Sequence, residues 1–477
     1  MSAVAMSRSI AAVAGALLLS ACQTFSPDGG MSVPAAIVAQ EINKDIMSVR
    51  TDDDAAAARS TVERLLKRTL TAESAVQIAL INNRGLQAAY NELGIAEAAM
   101  IGASLPPNPT FSVSRLSGPL EIELEKRIVA NILALATLPA RAEVAADRFR
   151  QAQLRAAEET LRVAAETRRA YYRAVAAREL DGFLERAKSA AEIASRLARR
   201  LGETGAMNKL DQAREQVFYA EIAAQLAGAR QRAASERERL VRALGLWGGD
   251  LGFRLPNALA ALPRRPHALP GIETEAILRR IDLQIARIEL DALAKSYGLT
   301  QATRFINLLE VAGIGKTSIG RETGERIRSR GFEIELQVPL FDFGEVRVRQ
   351  AEATYMQATN RLLELAINAR SHARDAYRGY RAAYDIASHY QREVLPLRKI
   401  ISDETLLRYN AMQIDVFSLL TEARQRVVAT MAAIEAKRDF WLATTDLQAV
   451  VIGGGIASGG TGGGKPLADS GGQPGGH

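Results

Sequence analysis

A chain of 477 residues, 24% charged and 48% apolar, has room for about two to four domains or one large unit and is too apolar for wholesale disorder. One cysteine excludes an internal disulfide and a thiolate zinc site, and His267, His372, His389 and His477 stand in no metal-ligand spacing. A net charge of +7 without a run of five or six like charges gives little support to nucleic-acid binding. Aromatics are only 5% and alanine dominates the apolar share, which favours long helices packed side by side over a compact enzyme core.

Arg8 precedes an apolar run, Ile10 to Leu19, too short to span a bilayer as a mature helix and shaped like a signal-peptide core. Met1 and Met6 are both possible starts. The run ends in Leu19-Ser20-Ala21-Cys22, which resembles a bacterial lipobox, with the chain's single cysteine at the lipidated position. An ordinary signal peptide with a chance cysteine is the alternative. Gln23 is not the Asp that commonly retains such lipoproteins in the inner membrane, so the outer membrane is expected. Residues 1–21 are thus read as a signal peptide and 22–69 as a lipidated N-terminal linker with a short helix near 55–68. Residues 451–477 form a glycine-rich tail that cannot bury a core.

Between these ends the chain repeats. Residues 70–250 and 273–450, joined by a linker at 251–272, each hold a medium helix, short β stretches, a long helix, a turn and a second long helix. Ala170-Tyr171 corresponds to Ala376-Tyr377, and Ala213-Arg214 to Ala423-Arg424. Leu180, Leu184, Ala187, Ala191, Ala194, Ala198 and Leu201 step by alternating fours and threes, as do Ala213, Val217, Ala220, Ala224, Ala227, Gln231 and Ala234. Such seams predict coiled-coil packing with close approach of the helices.

The β stretches fall near 110–136 and 304–341. Leu120, Ile122 and Leu124 alternate with Glu121, Glu123 and Glu125; Phe332, Ile334, Leu336 and Val338 alternate with Glu333, Glu335 and Gln337. Phe111 and Val113 alternate with serines, and Phe305 to Val311 makes a fourth apolar stretch. One apolar and one polar face is the weak signature of a membrane β-barrel, although a half-buried soluble sheet shows the same alternation. Four strands cannot enclose a channel, and lipid does not tolerate open sheet edges, so other subunits must complete the sheet.

Several motifs resemble the TolC-like outer membrane factors. Leu70 to Asn83 resembles their opening helix, Leu105-Pro106-Pro107-Asn108-Pro109 the entry to the first strand, and Val338-Pro339-Leu340-Phe341-Asp342-Phe343-Gly344 the exit from the last. Gly205 to Arg214 resembles the first tip turn and its following helix. The resemblance spans about residues 70–450. It implies an α+β membrane protein: four strands per chain in a trimeric twelve-stranded outer-membrane barrel, above a long coiled-coil periplasmic tunnel, with an internal two-fold repeat. It further implies a passive efflux duct that works with a periplasmic adaptor and an inner-membrane pump in a Gram-negative cell, without catalysis or cofactor. On this reading Gly205, Ala206, Asn410 and Ala411 are adaptor-binding tip residues, Asn410 standing where the family usually has a glycine. Asp415 and Glu422 are candidates for the acidic periplasmic aperture, or else part of a solvated helix face. The first barrel exit departs from the pattern, reading Ala136-Thr137-Leu138-Pro139.

Glu121, Glu123, Glu125, Glu333 and Glu335 are expected to line a water-filled lumen, with Lys126 and Arg127 close by to offset part of their field. The runner-up function is a structural tethering lipoprotein, its helices forming a rod without a channel. An enzyme has no motif to support it: Gly313-Ile314-Gly315 and Gly102 read as loop glycines, and Tyr171, Tyr172, Tyr377 and Tyr380 as packing residues. The exported cargo is not legible.

Overall fold

The computed structural model describes residues 25–453, so the signal-peptide core, Cys22 and most of the glycine-rich tail lie outside the described residues. In chain order the elements are α1 (Ser32–Ile42), α2 (Asp52–Leu66), α3 (Ala72–Asn82), α4 (Arg84–Ser104), β1 (Thr110–Ser117), β2 (Glu121–Asn131), α5 (Ile132–Ala136), α6 (Leu138–Glu203) and α7 (Lys209–Leu244). There follow α8 (Ile272–Arg279), α9 (Ile281–Ala302), β3 (Leu308–Gly320), β4 (Arg326–Gln337), α10 (Glu345–His389), α11 (Leu395–Asn410) and α12 (Val416–Ile452). At ~1.5 Å per residue, the 66 residues of α6 make a rod roughly 100 Å long.

Each predicted medium helix is two helices. Asn83 takes an extended conformation between α3 and α4, and its side chain caps the Leu86 amide at 3.1 Å. Arg280 makes the matching break between α8 and α9. In both halves the last helix ends on a left-handed glycine seated against that break, Gly245 (φ 68°) and Gly453 (φ 89°). A Cβ on Gly245 would meet the Asn82 carbonyl oxygen at 2.7 Å, and one on Gly453 the Ile281 nitrogen at 3.1 Å. The Asn82 amide donates to the Gly245 carbonyl at 2.7 Å, tying the start of the first half to its end.

The N-terminal segment is more ordered than the expected linker. Besides α2 it contains α1, packed on α6. The Gln87 side chain accepts from the Val49 amide at 2.9 Å and donates to the Met47 carbonyl at 2.9 Å. The two halves meet at an aromatic cluster in which Tyr172 stacks on Trp441 at 5.3 Å and Phe440 contacts Trp441, Tyr380 and Tyr384. Tyr171 donates to the Leu70 carbonyl, and the Tyr380 hydroxyl accepts from the His267 amide, so both tyrosines pin connecting segments.

The α6 seam packs as expected: Leu180, Leu184, Ala187, Ala191 and Ala198 are buried. The α7 seam does not. Ala213, Val217, Ala220, Ala224, Ala227, Gln231 and Ala234 are all exposed, and the helix buries Glu215, Ile222, Leu226 and Ala229 instead. The larger side chains win the contact within the chain, because Ile and Leu bury more area than Ala.

The four strands form one antiparallel sheet in the order β1-β2-β3-β4. Gly313 and Gly315 lie inside β3, and Gly102 inside α4, so none is a loop glycine. Residues 132–136, expected as strand, are the short helix α5, opened by the Asn131 side chain accepting from the Ala134 amide at 2.7 Å. Leu120 sits in the turn before β2, and Phe305 in the turn before β3. Among the described residues no helix is long and apolar enough to cross a membrane.

Candidate functional site: the sheet faces and the helix tips

Side chains paired across neighbouring strands share a face. The register pairs Leu124 with Thr317 and Ile128 with Gly313, and Gly313 in turn with Phe332. One face therefore carries Phe111, Val113, Ile122, Leu124, Ile128, Phe332, Ile334 and Leu336. The other carries Glu121, Glu123, Glu125, Glu333 and Glu335, as the alternation predicts. It also holds Glu310, which pairs with Glu335 and accepts from the Asn131 amide at 3.3 Å. The expected offsetting cations separate: Arg127 lies on the acidic face, 3.2 Å from Glu333, and Lys126 on the apolar one. A further cation on the acidic face, Lys316, meets Glu123 at 2.7 Å. Six glutamates thus face two cations.

The sheet hangs on the helices through two unlike exits. After β4, Phe343 (φ 46°) and Gly344 (φ 73°) turn left-handed. The Gly344 amide donates to the Asp342 carboxylate at 3.1 Å, and a Cβ there would stand 2.1 Å from the Arg304 carbonyl oxygen. The first half replaces this turn with α5, then starts α6 from Thr137 with Pro139 in its first turn, where no amide is needed.

The tips at the far end of α6–α7 and α11–α12 have the same build. Leu201 accepts from the Ala206 amide at 2.8 Å, and Arg408 from the Gln413 amide at 2.9 Å. Gly205 (φ 75°) and Met412 (φ 56°) take the left-handed position. Asn410 does not hold it: Asn410 is the last residue of α11, and the expected substitution of a turn glycine falls on Met412, 94% exposed. Ala206 and Ala411 lie in the two turns. Asn208 and Asp415 are the matching helix caps.

Counting from the turns moves the repeat by three residues. When Gly205 corresponds to Met412, Ala213-Arg214 falls opposite Leu420-Thr421 rather than Ala423-Arg424, and Glu215 corresponds to Glu422. Both glutamates are buried. Glu422 is held by Arg398 of α11 at 3.1 Å. Glu215, 1% exposed, is held by Arg424 of α12 at 2.5 Å, with the guanidinium also over Phe218. Burial pushes the Glu215 carboxyl up and the Arg424 charge opposes it. Asp415 accepts from the Ser418 amide at 2.8 Å, and hydrogen bonds from Ser418 hold its carboxyl below the usual range. The two aperture candidates therefore have partners within their own hairpin. The pair between hairpins, Glu215 with Arg424, has no signal in the sequence, since the 207-residue spacing of the turns matches Glu215 with Glu422 and not with its partner.

The outer membrane efflux protein family model matches residues 274–411. No curated protein matches the chain by sequence. Among solved structures, CusC, studied for its transmembrane channel formation, aligns with 83% of this chain and 92% of its own at a TM-score of 0.66 and 16% identity. The outer-membrane channel OprN aligns with 83% and 90% at 0.65 and 19% identity. The open state of the Neisseria gonorrhoeae MtrE outer membrane channel aligns with 82% and 89% at 0.66 and 16% identity. Residues 274–411 thus resemble the outer membrane efflux protein family, and over most of its length the chain has the fold of solved outer membrane channels.

Proposed function

We propose that this protein is the outer-membrane duct of an efflux assembly. Three copies close a twelve-stranded barrel, their helices form a periplasmic tunnel, and substrate delivered by an inner-membrane pump through a periplasmic adaptor passes without catalysis. The observation that carries this is the sheet: four strands with one face that is largely apolar and free of carboxylates, a carboxylate-rich opposite face and two open edges, β1 and β4, which lipid forbids unless copies pair them. The exposed alanine seam of α7 supports the same assembly, since a neighbouring protomer would cover it. The rod reading leaves both the seam and the edges unexplained.

On this reading the lipid on Cys22 anchors the mature chain in the outer membrane, the inward glutamates favour cations in the lumen, and the tips around Gly205, Ala206, Asn410 and Ala411 receive the adaptor. Asp415 and Glu422 lie at the tunnel's narrow end. The Arg424–Glu215 pair ties the two hairpins together and must part or shift for the tunnel to widen, while Arg398–Glu422 braces the second hairpin. The test is conductance: purified protein added to a planar bilayer should give discrete ion-conducting steps. A non-conducting preparation that is correctly folded by circular dichroism overturns the duct and favours the rod.

A further inference from the structure

The apolar face of the sheet is not uniformly apolar. From mid-strand to the hairpin ends it carries Arg115, Lys126, Arg326, Arg328 and Arg330, Lys126 being the middle residue of β2. All five are exposed. No carboxylate shares that face in any of the four strands, and none of the five makes an ion pair. Glu322 and Glu325 lie in the β3–β4 turn and pair with none of them. The strand glutamates all point the other way.

We propose that this face holds a phosphorylated lipid of the outer leaflet, with its phosphate among these cations and an acyl chain along β3. The proposal rests on the duct reading, which turns this face to lipid. Lys126, Gly315 and Arg330 form one cross-strand row, and the glycine leaves bare backbone between two cations. With strands ~4.8 Å apart, the flanking backbones are roughly 10 Å apart, room for a phosphate reached by both side chains. The next row toward the helices is Ile128, Gly313 and Phe332, and the one after it Ala130, Val311 and Ile334. A Cβ on Gly313 or Gly315 would meet nothing within 4 Å, so the notch is open. A basic notch that continues as an apolar groove matches an anionic head with a tail, and its polarity sets the head at the hairpin end.

Energy points the same way. Arginine facing lipid costs about 2–4 kcal/mol at the bilayer midplane and about 0–1 near the interface. Three arginines on alternate positions of β4 are tolerated only at headgroup level, where phosphates pair with them bidentately. Barrel closure would sharpen the demand, because β4 would lie beside a neighbouring β1, whose only charged residue is Arg115.

The test uses the detergent-purified full-length protein and native mass spectrometry. The probes are bis-phosphorylated lipid A, the same lipid dephosphorylated, and inorganic phosphate. Lipid A should be retained at least about tenfold more than its dephosphorylated form. K126A/R328A/R330A should lose that preference. Gly315→Leu, which keeps every charge but fills the notch, should also reduce it. Equal retention of both lipids, or retention unchanged in the triple variant, overturns the proposal. Displacement of lipid A by millimolar inorganic phosphate would mean a free-anion site and overturns the lipid assignment. The same preparation is assayed for bilayer conductance: conducting protein without lipid preference sinks this proposal alone, whereas non-conducting protein sinks the duct reading.

Discussion

Glu158 sits on α6 beside Asp282 and Arg280, where α9 begins, with Glu159 and Arg155 on its own helix. Burial, reinforced by the Asp282 charge, pushes its carboxyl up to about 7. The folded state therefore holds the proton more tightly than the unfolded chain. The stability this gives is fully present below the ordinary glutamate range and is lost as pH rises through about 7. Glu158→Gln should match the native protein near pH 5 and exceed it at pH 8 by about 1–2 kcal/mol, since one pKa unit is worth about 1.4 kcal/mol and the side chain is only partly screened from water. Melting curves at the two pH values check this; parallel curves would rule it out. Cys22 carries a different kind of prediction. If the Leu19–Cys22 box directs lipidation, Cys22→Ser should abolish labelling by radioactive palmitate. Persistent labelling, or a mature chain that begins elsewhere, counts against the anchor.

The tip turns and the strand faces act as units. Gly205 has φ 75° with open space around it, so a branched residue there is strained by its backbone rather than by neighbours. Gly205→Val should cost about 1–2 kcal/mol locally and weaken adaptor coupling while the oligomer survives. Full export by a correctly inserted variant would show that this turn is not the docking element. For the strands, six glutamates against Arg127 and Lys316 leave one face of the sheet acidic, the face that the duct reading turns to the lumen. Rings of carboxylates attract cations. The reversal potential in a salt gradient should indicate cation preference, and Gln at 121, 123, 125, 333 and 335 should remove most of it. The two ion pairs and salt screening limit the effect. A native channel that prefers anions would mean that the faces are assigned the wrong way round.

Assembly is what the single chain leaves unfinished. The α7 seam of Ala213, Val217, Ala220, Ala224, Ala227, Gln231 and Ala234 is exposed along the helix, and β1 and β4 end the sheet without partners. Cross-linking in detergent should give a threefold species. Ala224→Arg, in the middle of the exposed seam, should reduce that species several-fold without changing the protomer's helical content. A native protein that stays monomeric with its sheet intact, or a trimer indifferent to Ala224→Arg, would place the interface elsewhere.

Period-two alternation was enough to sort Ile122, Leu124, Phe332, Ile334 and Leu336 from the glutamates, because in a strand neighbouring side chains must point to opposite faces. Heptad spacing likewise foretold the α6 seam, and the glycine of the first tip marked its left-handed turn. Three matters needed the folded chain. Register alone could separate Lys126 from Arg127 and gather five cations on the apolar face, since pairing between distant strands leaves no local trace. The heptad spacing on α7 points to the alanine stripe, and only the competition for neighbours shows that Ile222 and Leu226 face inward while the alanines stay outside. Asn410 looked like the turn residue because it suits a left-handed backbone. The structure gave that place to Met412, for α11 runs on to Asn410, and the hydrogen bond closing the turn, from Gln413 to Arg408, requires the reversal two residues later.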